Sequence, residues 1–428
     1  MFQVHKKVLN NGLRVLMVPM KNSEAVTIQV LVGAGSKNEA KNINGISHFL
    51  EHLFFKGTEN RPNPGDLDKE LDKIGASHNA FTGQELTGYW IKSSGKDFDI
   101  VLDIMSDIVL NSLFKKEEIE KERNVILQEI SMNEDLPIRK VLEDLLKIIY
   151  GIYPAGWPIA GTTGTVKKIK RSDILSYQKN SYSAENMIVI VSGGIERNEI
   201  IRKINKVFKN LKKGKIKKIQ KTKVYQKSPR VKILNKKTDQ SHLAIGIPVF
   251  NIYDERRYAL NILSAVLGGN TSSKLFMEIR QKLGLAYYVG SLIDLQKDTG
   301  LLIIRAGVSH DNLEVAIKKI SEILSDFKNK GVSKKELKDA KSFIRGQMAL
   351  SFETTDQVAD FYGEHELFYK KIMQPEELLK KIEKVSQNDI LKTAREIFRP
   401  DKINMAVIGK HHDYKEKEQF YKKLFNKI

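Results

Sequence analysis

The sequence predicts an α+β protein made of two copies of one half-domain, each a mainly antiparallel sheet packed against helices. Three observations carry that expectation. A chain of 428 residues is too long for a single core and calls for two or more. Within the first half, strand-type runs come first, helical runs follow, and a strand returns at the end. Matching segments then recur at a near-constant spacing of half the chain.

Taken in order, residues 12–20 and 25–33 have the β-branched alternation of paired strands. Helices are expected at about 45–55 and 65–74, followed by strands at 77–82 and 87–92. Two longer helices follow, at 96–111 and 115–133, and a strand returns at 186–193. The repeat appears when the halves are laid side by side. LFKKEEIEKERNVILQEI at 113–130 corresponds to GVSKKELKDAKSFIRGQM at 331–348; both carry a helix start and amphipathic spacing. Asp173-Ile174-Leu175 recurs as Asp389-Ile390-Leu391, and the strand at 186–193 recurs at 404–409. The offsets of 216 to 218 residues indicate duplication. The division expected is an N-terminal half at 1–210, a basic linker at 211–230 and a C-terminal half at 231–428. The linker expectation rests on Lys212, Lys213, Lys215, Lys217, Lys218, Lys221 and Lys223, with few large apolar residues among them and Pro229 after them.

Composition narrows the chemistry. With no cysteine, disulfides, thiolate metal sites and cysteine nucleophiles are excluded, so any metal must be held by histidine and carboxylate. The net charge of +20 admits a nucleic-acid partner, an anionic surface or plain solubility. Lysine is scattered along nearly every helix and no nucleic-acid-binding signature accompanies it, which favours solubility. No run of about 18 apolar residues exists, and the basic residues Lys6, Lys7 and Arg14 interrupt the start as an export signal. The expectation is a cytoplasmic protein without a membrane or nucleic-acid partner.

Residues 48 to 52 read His-Phe-Leu-Glu-His. On an α-helix four residues turn the chain by about 400°, which puts His48 and His52 on one face, one turn apart. Both imidazoles can then reach one ion, and Glu51 sits beside that face, able to take a proton from a water held there. Zinc suits such a donor set, and the order His-x-x-Glu-His is the inverse of the common zinc-protease motif. Two histidines and a glutamate on a polar helix face can also be ordinary surface residues. A third ligand is available downstream, where Glu122 and Glu129 lie two turns apart on one helix. Glu129 could ligate and Glu122 could orient a ligand from behind, although acids on a solvated helix face are common. The repeat supplies a control. The positions matching Glu122 and Glu129 are Ala340 and Gln347, and the matching helix near 258–267 has no histidine. Scaffold residues should persist in both copies, whereas the proposed metal groups are all absent from the second.

With GISHFLEHLFFKGT around the histidines and ERNVILQEI downstream, its Glu129 77 residues beyond His52, the chain closely resembles the pitrilysin family of zinc metallopeptidases, which includes mitochondrial processing peptidase. The resemblance spans nearly the whole chain. It implies that His48, His52 and Glu129 bind one zinc ion, that Glu51 is the general base and later proton donor, and that Glu122 supports the site. It also implies that 77–82 is an edge strand where an extended substrate adds as a further strand through main-chain bonds at Asn79, Ala80 and Phe81. Arg280 and Tyr287 in EIRQKLGLAYYVG match the family's arginine–tyrosine pair. A tyrosine hydroxyl can donate to a developing oxyanion, and an arginine can hold a substrate carbonyl or carboxylate. Choosing Tyr287 over the adjacent Tyr288 rests on the resemblance alone. The family encloses a chamber with four half-domains, and this chain has two, so the resemblance implies a homodimer with the Arg–Tyr pair acting on the other copy's site. The implied activity is zinc-dependent endopeptidase cleavage of peptides or unfolded segments, in a short bacterial-type member. The alternative, a catalytically silent core or partner subunit, is at odds with the retention of His48, Glu51, His52 and Glu129.

Overall fold

The computed structural model describes residues 2–214 and 220–428. Lys215, Lys217 and Lys218 of the expected basic linker lie outside the described residues. The first sheet is formed by β1 (His5–Val8), β2 (Arg14–Pro19), β3 (Ala25–Val32), β4 (Ser77–Thr82), β5 (Thr87–Ser94) and β6 (Met187–Gly193), in the order β1-β2-β6-β3-β5-β4. Only β2 and β6 pair in parallel. The second sheet contains β7 (Arg230–Asn235), β8 (Ser241–Val249), β9 (Ala286–Leu295), β10 (Gly300–Val308) and β11 (Asn404–Gly409), in the order β7-β11-β8-β10-β9. It repeats the pattern, with β7–β11 as the parallel pair and the rest antiparallel. Strand for strand, β2-β6-β3-β5-β4 matches β7-β11-β8-β10-β9, and β1 is the addition that the sequence pattern did not signal.

The central strands are buried on both faces, and side-chain period sorts their residues between two layers. In β2, β3 and β6, Val15, Met17, Val26, Ile28, Val30, Val32, Met187, Val189 and Val191 join the core beneath the helices of the first half. The alternate residues Leu16, Val18, Leu31, Ile188 and Ile190 pack instead on Val358, Ala359, Tyr362 and Leu367 of helix Thr355–Tyr369. Polar positions on that second face bond to the same helix. Thr27 Oγ1 bonds Thr355 Oγ1 (2.7 Å), Gln29 Nε2 donates to Asp360 Oδ1 (2.5 Å) and Ser192 Oγ donates to the Thr355 carbonyl (2.5 Å). This is how buried polar groups in a strand escape the cost of desolvation. In the second sheet, Ala244, Leu301, Ile303, Ala406 and Ile408 face Val141, Leu145, Ile149 and Tyr150 of helix Pro137–Tyr150. Gly246 permits that approach, since a Cβ there would stand 2.6 Å from Ile149 Cδ1.

Each sheet is thus covered on its second face by a helix taken from the other half of the sequence. Accordingly the chain forms two compact units, one of Met1–Ile130, Trp157–Ile219 and Met348–Pro375, the other of Ser131–Gly156, Gln220–Gln347 and Glu376–Ile428. Among the described residues no helix is long and apolar enough to cross a membrane.

Candidate metal centre

Helix Ile46–Leu53 carries the histidine motif, and its start is fixed by an acid seven residues upstream. The Glu39 carboxylate accepts bonds from the Gly45 amide (2.7 Å), the Ser47 amide (2.8 Å) and Asn44 Nδ2 (2.8 Å), supplying acceptors to a helix N-terminus that has none of its own. Gly45 enters the helix at φ 100° with its Cα facing Ala160 O, where a Cβ would stand 2.6 Å away. Glycine is required there on both counts. Burial pushes the Glu39 carboxyl up to about 7, against the pull of those same bonds. The apolar stripe Ile46, Phe49, Leu50 and Leu53 is buried in the core of the first unit, which leaves His48, Glu51 and His52 on the opposite side.

The two imidazoles stand edge to face with centroids 4.7 Å apart. Nε2 of His48 lies 3.5 Å and Nε2 of His52 3.7 Å from Glu129 Oε2, delivered by helix Lys116–Asp135. Donor atoms of His48, His52 and Glu129 all lie within 4.8 Å of one another. Among the described residues this is the one such cluster of three or more possible ligands. Tetrahedral zinc with bonds of about 2.0–2.2 Å sets its ligand atoms roughly 3.4 Å apart, close to the two histidine–carboxylate separations. The donor set of two imidazoles and one carboxylate also leaves a fourth position for water, as catalytic zinc sites do.

Behind the triad, Glu122 Oε2 is 3.0 Å from His52 Nδ1 and Glu122 Oε1 is 3.0 Å from Lys56 Nζ. The pairing directs Nε2 of His52 towards Glu129, the arrangement by which a carboxylate orients a metal-binding histidine. Burial opposes charge on Glu122, yet His52 and Lys56 hold it below the usual carboxylate range. The histidines diverge. Burial lowers His48 to about 4 despite Glu129, so its imidazole is neutral and available to a metal. At His52 burial also opposes charge, but the bonds to Glu122 and Glu129 prevail and hold a proton up to about pH 9. Glu51, Glu122 and Glu129 against Lys56 leave an excess of negative charge that a divalent cation would balance with release of that proton. Burial raises the Glu51 carboxyl, offset by the nearby Thr82 hydroxyl and by His52. Glu51 Oε2 and Thr82 Oγ1 are both buried and make no hydrogen bond of regular geometry.

Beside the helix, β4 closes one edge of the first sheet. Of the three residues expected to bind substrate there, Ala80 turns its amide to the exposed side, where Asn79 Oδ1 accepts it (2.8 Å). By strand alternation the main-chain groups of Asn79 and Phe81 are directed towards β5. The Phe81 ring lies over Gly88, where a Cβ would be 2.4 Å from its Cζ. His78 on β4 faces Asp68 (3.3 Å) and stands outside the triad.

Arg280 and Tyr287 belong to the second compact unit, and the structure brings the two together. Arg280 sits in a wide π-type turn at Phe276–Lys282, its guanidinium over the rings of Phe276 (5.1 Å) and Tyr287 (5.8 Å), and donates to the Tyr287 carbonyl. The Tyr287 side chain is exposed. Ala340 and Gln347 lie on helix Lys334–Leu350, and helix Arg257–Gly268 bears no histidine. Glu39, Lys56 and Thr82 escaped sequence reasoning. Only Lys56, four residues past His52, has a spacing that could have drawn attention.

Comparison with known proteins bears on this geometry. Residues 14–163 match the family model described as insulinase (peptidase family M16), and residues 168–343 match the model described as the peptidase M16 inactive domain. An uncharacterised zinc protease of Bacillus subtilis, YmxG, is 33% identical over 399 residues, covering 93% of this chain and 96% of its own. One from Rickettsia felis is 34% identical over 404 residues, covering 94% and 96%. Among solved structures, a protease from Helicobacter pylori superposes with a TM-score of 0.89 at 25% identity, covering 95% of this chain and all of its own. A structure from Pseudomonas fluorescens described as a peptidase M16 inactive domain shares the fold, with a TM-score of 0.89 at 17% identity over 96% of this chain and 98% of its own.

Proposed function

The chain belongs to the insulinase family of peptidases, family M16, and from that premise we propose that it is a zinc-dependent endopeptidase acting on peptides or unfolded segments. The observation that carries the proposal is the convergence of His48 Nε2, His52 Nε2 and Glu129 Oε2 beside a buried Glu51 oxygen that has no partner. His48, His52 and Glu129 hold the ion and Glu122 keeps His52 turned towards it. When bound, zinc supplies the Lewis acidity that lowers the pKa of a water and polarises the scissile carbonyl. Glu51 takes the water proton on Oε2 and returns it to the leaving amine. Its raised pKa brings it nearer to neutrality, as a shuttle needs. The substrate lies extended along β4 with the Ala80 main chain as an anchor, which reads backbone more than side chains. Tyr287 donates to the developing oxyanion and Arg280 holds the chain nearby. Because these two belong to the half without metal ligands, the working form is a homodimer in which they serve the metal site of the other copy, within a closed chamber that excludes water and folded proteins.

The test is bound metal and cleavage of an unstructured peptide library, comparing wild type with Glu51→Gln. About one zinc per chain in both, with cleavage in wild type alone, is the expected result. Absence of stoichiometric zinc and of cleavage after zinc is resupplied overturns the proposal in favour of a silent scaffold subunit.

A further inference from the structure

We propose that Tyr288 and His242 are positioning residues that fix Tyr287 in its working place, an inference that rests on the role given to Tyr287 above. The two tyrosines are chemically identical neighbours, yet the structure treats them differently. Tyr288, Gly307 and His242 form one row across β9, β10 and β8, Tyr288 opposite Gly307 and Gly307 opposite His242. The Tyr288 ring lies across the glycine, where a Cβ would come within 2.5 Å of its Cε1. Its hydroxyl then reaches His242 Nδ1 at 2.9 Å, with the rings 30° apart in orientation. Glycine within a strand is costly unless something lies over it, and here the aromatic ring does.

The register breaks at the next step. Val308 pairs with Ala286 while Gly307 pairs with Tyr288, so Tyr287 is the extra residue of a β-bulge. A bulge re-aims one side chain out of the ladder, and Tyr287 is accordingly 74% exposed. Its main chain is held from two sides, by Arg280 on its carbonyl and by Tyr288 anchored across the sheet. Without the pin on Tyr288 the bulge could move by one residue, which exchanges the faces of the two tyrosines. The His242–Tyr288 bond therefore selects which hydroxyl is presented.

The experiment measures kcat and KM on an unstructured fluorogenic peptide for the zinc-loaded full chain, with Tyr288→Phe, His242→Leu, His242→Gln, Tyr287→Phe and the double variant Tyr287→Phe/Tyr288→Phe. Tyr288→Phe and His242→Leu are expected to lower kcat about tenfold and to leave KM within about twofold. His242→Gln, which can still bond the phenol, should recover part of the loss. In the Tyr287→Phe background Tyr288→Phe should cause no further loss, because its effect passes through Tyr287. Wild-type kcat in Tyr288→Phe, or additive losses in the double variant, overturns the inference. A silent Tyr287→Phe has a different signature: it removes the role of Tyr287 itself, and the inference with it.

Discussion

Replacing Glu122 by glutamine tests whether the carboxylate behind His52 sustains the metal site. In wild type a charged carboxylate faces His52 Nδ1 at 3.0 Å and Lys56 Nζ at 3.0 Å. Glutamine keeps the shape and a carbonyl acceptor but loses the charge. A hydrogen bond to an ionised group is worth about 1.5–3 kcal/mol and a neutral one about 1, so about 0.5–2 kcal/mol is lost. At about 1.4 kcal/mol per decade that is roughly two- to thirty-fold in zinc affinity, its upper part falling in the range of about 10–100-fold found for such supporting groups. Lys56, left without its acid, adds positive charge near the site and acts in the same direction. Proton competition acts against both. His52 holds a proton to about pH 9 in the metal-free chain, partly through Glu122, and zinc must displace it. In the variant that proton is held less tightly, so part of the loss is hidden near pH 7.5 and emerges towards pH 9. The assay is competition for zinc against a chromophoric chelator at both pH values. The ratio of variant to wild-type Kd should widen as pH rises, reaching about tenfold or more. A ratio near one at pH 9 refutes the supporting role. A loss as large as that of Glu129→Gln shows instead that Glu122 is itself a ligand.

Two further perturbations probe the strand edge and the helix cap. Ala80→Pro removes the amide that faces the open side of β4, at an edge position where proline leaves the ladder intact. KM for long unstructured peptides should rise about tenfold, with thermal stability nearly unchanged; equal KM would mean that substrate does not add to this strand. Glu39 has a folded-state pKa of about 7, above its ordinary value of 4.5, so its contribution to stability is full below pH 4.5 and is lost as pH rises through 7. Relative to Glu39→Gln, wild type should lose up to about 3 kcal/mol between pH 4.5 and 8, read as the difference in urea unfolding free energies. A difference that does not change with pH contradicts the assignment.

The clustering of His48, His52 and Glu129 was legible in part, because helical geometry puts residues 48 and 52 on one face and the second copy keeps the scaffold without any of the three. The central strands were legible from their alternation, and β4 falls at 77–82 as expected. What could not be read was partnership. Helix Pro137–Tyr150 displays an apolar stripe at Val141, Leu145 and Ile149, but periodicity tells which side is buried and not against which sheet. Thr27 and Gln29 look like solvent-facing residues of β3 until their partners arrive from 328 and 331 residues away. The bulge at Tyr287 depends on a glycine and a histidine in two other strands, so no local pattern could distinguish it from Tyr288.

The exchanged helices also impose a timetable on the ribosome. The last strand of the first sheet ends at Gly193, but the helix that covers its second face ends at Tyr369. Some 180 residues of translation lie between, on the order of ten to thirty seconds at about 5–20 residues per second. Through that interval Leu16, Val18, Leu31, Ile188 and Ile190 lack the cover of Val358, Ala359, Tyr362 and Leu367. The nascent polypeptide, rather than the finished protein, is therefore the form most in need of a chaperone.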